Sequence, residues 1–231
     1  MVFVRVESKP TDVSTIKKQF GCISFDKGGY YCIREKDTFS FIRCGRHKDR
    51  PAHADNLHLD IWYQGENCLF DGGSYKYNTT EKLLRYFMGT ESHNTIMLEG
   101  HDQMLKGDRF IWYNWSQAEW SSLKETEDTY IFEGKVSCFT YLNKKIKHYR
   151  KIVKWKNTCK WEIEDCIDGN PKNMNMRQLW HTNKDNLSLE SNGETIDTEQ
   201  LCSNYYGQTT KCRQIEFQTK NSSIKTILQF I

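Results

Sequence analysis

Proline is scarce, with 3 in 231 residues, and no Gly/Ser-rich or Pro-rich stretch interrupts the chain. Nothing therefore marks a linker, and one domain over 1–231 is expected, long enough to bury a sizeable core. Among the 9 cysteines no Cys-x-x-Cys pair occurs, which argues against a zinc ribbon or a dithiol redox motif. Cys22, Cys32, Cys44, Cys68 and Cys138 lie in apolar strand-like runs, where cysteine behaves as a small hydrophobe. Reduced core cysteines are expected rather than a disulfide framework. The opening "MVFVRVESKP" lacks the apolar region of a signal peptide, and no run approaches a membrane span. The chain reads as soluble and without an export address, and it is equally readable as a piece of a longer polypeptide. Charge of one sign is missing too: 33 basic side chains face 30 acidic ones, for a net +3. A nucleic-acid binder gathers its cations on one face, so no nucleic-acid partner is expected.

Helical periodicity is weak as well, its best candidates being "DVSTIKKQF" (12–20) and "EKLLRYFM" (81–88). Fixed-period repeats are absent. What the chain has in quantity is period-two alternation, in segments 30–35, 38–44, 56–64, 67–71, 109–120, 129–137, 146–155, 160–168, 174–181, 212–217 and 224–230. Many short strands without alternating helices predict an all-β fold, a large antiparallel β-sandwich, with a minor helix near the N-terminus. The densest basic run, "NKKIKHYRKIVKWK" (143–156), reads as a strand with one solvated cationic face. Lys145, Lys147, Arg150 and Lys154 are then the candidates for attracting an anionic polymer. In "NLHLDIWYQ" (56–64), Leu57, Leu59, Ile61 and Tyr63 share the core face, and Asn56, His58, Asp60 and Trp62 the other.

Polar chemistry concentrates in three stretches. His53, Asp71 and His93 stand at strand or loop edges in "PAHAD", "LFDGG" and "ESHNT". Two imidazoles and a carboxylate suit a three-ligand zinc site, with water or substrate as the fourth ligand. Their separation matches no short metal motif, so two hydrogen-bonded histidines and a turn-capping Asp71 stand as the alternative. In "GGSYKYN" (72–78), the glycines allow close backbone approach, and Tyr75 and Tyr77, on one face of a strand, are open to sugar stacking or to packing. In "SHNTIMLEGHDQM" (92–104), a loop feeds the apolar strand "IML", and Gly100 to Gln103 read as a polar turn with His101 exposed.

Together, "RCGRHKDRPAHADNLHLDIWYQGENCLFDGGSYKYN" and "YFMGTESHNTIMLEGHDQM" resemble the start of the C-terminal domain of the heparinase II/III-like family. That family shows His-Ala-Asp before a strand, an Asp-x-Gly-x-Tyr-x-Tyr turn and His-Asn-Thr before the next strand, in this order. The resemblance implies a polysaccharide lyase, of bacterial type, that cleaves uronate-containing chains such as glycosaminoglycans by β-elimination. It implies zinc held by His53, Asp71 and His93, mainly stiffening the loops around it, and an acidic polysaccharide as partner. It further implies an N-terminal α/α toroid, which this chain lacks, and a periplasmic or cell-envelope location if the chain is a piece of an exported member. Where the family often has a histidine implicated in the chemistry, this chain has Pro51. His47 and Arg50 are the neighbouring candidates for a catalytic part, and Arg50, Tyr75 and Tyr77 for substrate binding. The isolated chain is expected to be inactive. A non-catalytic carbohydrate-binding or structural module with a structural zinc is the second reading, and a free-standing zinc hydrolase the third.

Overall fold

The computed structural model describes residues 19–171 and 174–231. Alternation of buried and exposed positions sorts the strands into two layers. A six-stranded antiparallel sheet forms one layer, in the order β14 (Leu187–Ser191), β17 (Ser223–Phe230), β12 (Lys160–Asp168), β11 (Lys147–Trp155), β10 (Thr129–Ser137) and β9 (Gln117–Glu125). The other layer holds a five-stranded sheet in sequence order, β1 (Gly21–Phe25), β2 (Tyr30–Arg34), β3 (Thr38–Arg43), β4 (Leu59–Tyr63) and β5 (Glu66–Leu69). Beside it lies a four-stranded sheet ordered β15 (Glu194–Cys202), β16 (Thr210–Thr219), β13 (Met176–Thr182) and β6 (Ile96–Leu98). These two abut where the Phe70 N–H donates to His181 O at 3.2 Å. A small hairpin, β7 (Leu105–Lys106) and β8 (Trp112–Tyr113), projects beside them. This is the antiparallel β-sandwich that the alternation predicts.

The two layers close on one contiguous apolar core, which includes Ile33, Leu59 and Ile61 from one side and Phe132, Ile152 and Trp161 from the other. Ring contacts tie the layers across it: Tyr31 to Phe132 at 5.1 Å and Tyr63 to Phe230 at 4.6 Å. All nine cysteines are free thiols. Where cysteine is buried, as at Cys44 and Cys138, burial pushes the thiol up, to about 12 at Cys44.

Of the expected helices, 81–88 forms as α1 (Glu81–Met88). Thr80 caps it by accepting from the Leu83 N–H, and Glu81 pairs with Arg85 one turn on at 2.8 Å. The candidate at 12–20 falls at residues 12–18 outside the described residues. Segment 109–120 is two strands rather than one, because Asn114 takes a left-handed φ of 54° and breaks the ladder between β8 and β9. Segment 56–64 enters its strand only at Leu59, after Leu57 turns at φ 62°.

The cationic strand β11 is a correction. Arg150 and Lys154 face inward and are fully buried, so neither meets solvent or a polyanion. Arg150 makes a bidentate pair with Asp165 at 2.7 Å, and Lys154 reaches Glu35 at 2.6 Å. The outward face carries Tyr149 and Lys147, the latter bound to Glu119 and Ser137. Lys145, just before the strand, is exposed. Burying a guanidinium is tolerable here because four of its five N–H groups find acceptors: Arg150 also donates to Leu57 O at 2.6 Å and to Asn94 O at 2.7 Å.

Another buried ionisable group is His181 on β13. Its Nδ1–H donates to Asn94 Oδ1 at 3.0 Å, and its Nε2 accepts from Gln214 Nε2 at 2.9 Å. Burial, with the nearby His93 and His58, pushes it down to about 3. The unfolded chain binds this proton at the ordinary value of 6.5. Stability from this group is therefore present above pH 6.5 and is lost as pH falls toward about 3, by up to about 1.4 kcal/mol per pH unit. Urea unfolding with chelator present, at stepped pH across this window, checks this. The slope should shrink in His181→Gln; an identical slope in the variant contradicts it.

Candidate metal centre

The carboxyl end of α1 leaves backbone carbonyls without helical partners, and the chain spends them on the loops that follow. Met88 O accepts the Ala54 N–H at 2.9 Å, Phe87 O accepts the Ser92 hydroxyl at 3.1 Å, and Gly89 O accepts His93 Nδ1–H at 2.6 Å. A 3-10 turn, Thr90–Ser92, delivers His93 with its ring buried. The Gly89 bond fixes the tautomer, so in the neutral ring Nε2 points its lone pair into the site.

Asp71 arrives from the other direction, just beyond β5. Its Oδ1 accepts the Gly73 N–H at 2.6 Å, leaving Oδ2 at 3.2 Å from His93 Nε2. Both glycines of this turn are needed. A Cβ at Gly72 would stand 2.8 Å from Ser92 Cβ, and at Gly73, where φ is 84°, 2.1 Å from Ser203 O. Asp71 thus does cap its turn, and it also faces the histidines. His53 completes the group, its Nδ1 3.1 Å from His93 Nε2 and its Nε2 3.2 Å from Ser74 Oγ. One ligand atom from each of His53, Asp71 and His93 lies within 4.8 Å of the others.

The electrostatics of this convergence call for a positive charge. Two ring nitrogens and a carboxylate oxygen repel unless a proton or a cation sits among them. Burial alone would lower His93, but the charge and hydrogen bond of Asp71 overcome it and raise the ring to about 9. Burial likewise works against the Asp71 carboxylate, yet His93, His58 and His53 hold it well below the usual range. His53 is pushed down by its own burial and by His93, which keeps it neutral, the form that ligates a metal. The donor set fits zinc in its usual tetrahedral arrangement with one position left for water or substrate.

A second layer of polar groups sets these ligands. Asp60 Oδ1 accepts the Asp71 N–H at 3.0 Å and lies 3.1 Å from His58 Nε2. His58 Nδ1 accepts the Asn94 N–H at 2.9 Å. Asn94, next to His93, donates from Nδ2 to Leu59 O and Phe70 O, and accepts from His181. Gln103 is completely buried, although the sequence places it in a polar turn. It accepts the Asn56 N–H and donates to Asn56 O and Thr95 Oγ1, joining the segments that carry His53 and His93. His101 is half-buried rather than exposed.

Beside the His53, Asp71 and His93 group opens a cavity of ≈ 400 Å³. Arg50, Pro51, His53 and Tyr77 line it, with Leu84, Met88 and Phe110 as its apolar wall. Arg50 lies 5.5 Å from the centre of the Phe110 ring and, among the described residues, makes no ion pair; Asp55 is taken by Arg43 at 2.8 Å. His47 is placed away from the metal ligands. Its backbone is bound to Gln117 of β9, and burial followed by the charge of Arg43 pushes its ring down. The tyrosines do not share a strand face. Residues 72–78 form loop, Tyr75 turns at φ 55° and packs 5.4 Å from Phe87, and only Tyr77 is exposed.

With fold and site described, the comparisons place the chain. Residues 18–229 match the family model for the heparinase II/III-like C-terminal domain, and the chain belongs to that family. Among solved structures it is similar to the heparinase III known as the BT4657 gene product, at 17% identity and a TM-score of 0.74. That match covers 93% of this chain and 36% of the other. Heparan sulfate lyase HepC from Pedobacter heparinus is similar at 15% identity and a TM-score of 0.74, over 92% of this chain and 36% of HepC. The chain therefore spans about a third of the length of the solved structures it matches. A comparison with curated proteins found no match. Among the described residues no helix is long and apolar enough to cross a membrane.

The raised value of His93 depends on the Asp71 charge, and Asp71→Asn removes it while leaving an oxygen for the Gly73 N–H. In metal-free protein, nitrogen-15 NMR titration should find His93 protonated up to about pH 9 in the wild type. In Asp71→Asn burial is opposed only by the more distant Asp55 charge and the Gly89 bond, and the ring should titrate well below its wild-type value. An unchanged His93 would show that Asp71 does not face it in solution.

Proposed function

We propose that this chain is the β-sandwich part of a polysaccharide lyase that cleaves uronate-containing chains by β-elimination, as one domain over 1–231. The observation that carries it is the convergence of His53, Asp71 and His93 at a cavity with a cation, Arg50, on its rim that makes no ion pair among the described residues. Zinc, when bound, supplies a fixed cross-link among the three loops. The remaining tasks are binding and charge neutralisation. The Arg50 fork holds the uronate carboxylate, drawing charge off it so that the α proton becomes more acidic. The base, and the acid that protonates the departing oxygen, come in whole or in part from a helical toroid domain, because His53 is assigned to the metal and Tyr77 is then the one remaining side chain of the cavity lining suited to move a proton.

One observation favours a second reading. Pro51 lines the cavity where the family often has a histidine, and proline moves no protons. A carbohydrate-binding module that keeps the metal for rigidity would have the same ligands and the same Arg50.

Metal analysis of the purified chain should find one zinc per chain, and His53→Ala and His93→Ala should each lose it. A metal-free wild type after zinc loading would contradict the ligand assignment. Incubated with heparan sulfate or alginate, the isolated chain should give no absorbance from unsaturated product. Sustained turnover would place base and acid within these 231 residues. Arg50→Ala should weaken acidic oligosaccharides by roughly three- to tenfold, more at low salt, and neutral ones hardly at all. Equal affinities for both variants at every salt level would remove Arg50 from the site.

A further inference from the structure

Three rings from three separate loops stand in a row that leads out of the metal cavity. Phe110 lies 5.6 Å from Tyr77, and Tyr77 lies 5.9 Å from Tyr206. The Arg50 guanidinium, 5.5 Å from the Phe110 ring, ends the row at the cavity. Tyr77 and Tyr206 are 69% and 68% exposed, yet their loops are held to each other. The Gly207 N–H donates to Tyr75 O at 2.9 Å, and the Tyr77 N–H reaches the Tyr206 hydroxyl at 3.4 Å. Folding thus keeps two large rings in water and in register, where burying them would have stabilised the fold.

Phe110 and Tyr77 line the concavity itself, and a cleft with aromatic walls and a cation suits a linear saccharide. Rings also suit sugars chemically, since the apolar face of a pyranose lies on an aromatic face while its hydroxyls stay hydrated. We propose that Phe110, Tyr77 and Tyr206 form a stacking track for successive sugars of an acidic oligosaccharide whose carboxylate sits at Arg50. This rests on the saccharide reading above. It makes Phe110 and Tyr206 binding residues, takes Tyr75 out of that role, and gives the site a preference for chain length. A disaccharide anchored at Arg50 reaches Phe110, and only a longer chain reaches Tyr206.

The test is calorimetric titration of zinc-loaded chain with an unsulfated alginate disaccharide and hexasaccharide. Tyr206→Ala should weaken the hexasaccharide roughly three- to tenfold and leave the disaccharide within about twofold of wild type. Tyr206→Phe, which keeps the ring and loses only the long bond from the Tyr77 N–H, should stay within about twofold of wild type, and Phe110→Ala should weaken both ligands. Wild type and Tyr206→Ala binding the hexasaccharide equally would overturn the track alone. If Tyr206→Ala instead abolishes self-association of the chain without changing saccharide affinity, the row is a protein contact and the proposal fails. A wild type that holds zinc but binds neither oligosaccharide overturns the saccharide reading and the track together.

Discussion

One buried guanidinium holds the two layers in the arrangement that the metal loops require. Arg150 is fully enclosed, takes both oxygens of Asp165 across the β11–β12 ladder, and gives both Nη1 hydrogens to Leu57 O and Asn94 O in the opposite layer. Those two carbonyls belong to the residues that adjoin His58 and His93. Asp165 is shared further, with His148 at 2.6 Å and Gln178 at 2.7 Å, and its carboxyl is held well below the usual range: burial opposes this, and Arg150 and His148 outweigh it. Such a pair contributes little net stability when complete, but losing one partner strands a buried charge, at a cost of about 3–5 kcal/mol. The structure is thereby committed to one placement of the segments above it.

From that base the loops that carry His53, Asp71 and His93 are shaped by hydrogen bonds and by a small apolar cluster of Ala54, Met88, Met104 and Trp112. Asn94 gives its amide N–H to His58 and uses its side chain on Leu59 of β4, on Phe70 just past β5 and on His181 of β13, which leaves His93 in one place. The end of α1 supplies the carbonyl that orients the His93 ring, and the Gly72-Gly73 turn lets the Asp71 segment lie against Ser92 and Ser203. His53 is the least constrained ligand, its side chain meeting Ser74 at 3.2 Å. An ion therefore meets an arrangement already largely set, and its mechanical effect falls mainly on the His53 loop.

Much of the fold was legible as period-two alternation, because strands such as β10 and β12 bury every second residue. Alternation does not say which face is inward. In β11 the inner set is His148, Arg150, Ile152 and Lys154, while Tyr149, Val153 and Trp155 face out, so composition pointed the wrong way. Only the partners, Asp165 on β12 and Glu35 in the turn between β2 and β3, make that inversion stable, and no local pattern announces them. The convergence of His53, Asp71 and His93 was legible only through the resemblance carried by the His-Ala-Asp, Asp-Gly-Gly and His-Asn-Thr stretches, since three residues so far apart carry no spacing signal of their own. Asn94 and Thr95 lay in the same stretches. Phe110 and Tyr206 escaped notice because the row they form exists only when three loops meet.

The central claim is that the protein itself holds the metal loops in place. Hydrogen exchange of the metal-free chain, read at the amides of His93, Asn94 and Thr95, tests it most directly. These donate to Thr90 O, His58 Nδ1 and His93 O, and no metal is needed for any of the three bonds. The account predicts protection comparable with that of the β11 and β12 amides, with or without zinc. Rapid exchange at these three amides in the metal-free chain, slowed only when zinc is added, would mean that the ion builds the site and would contradict the account.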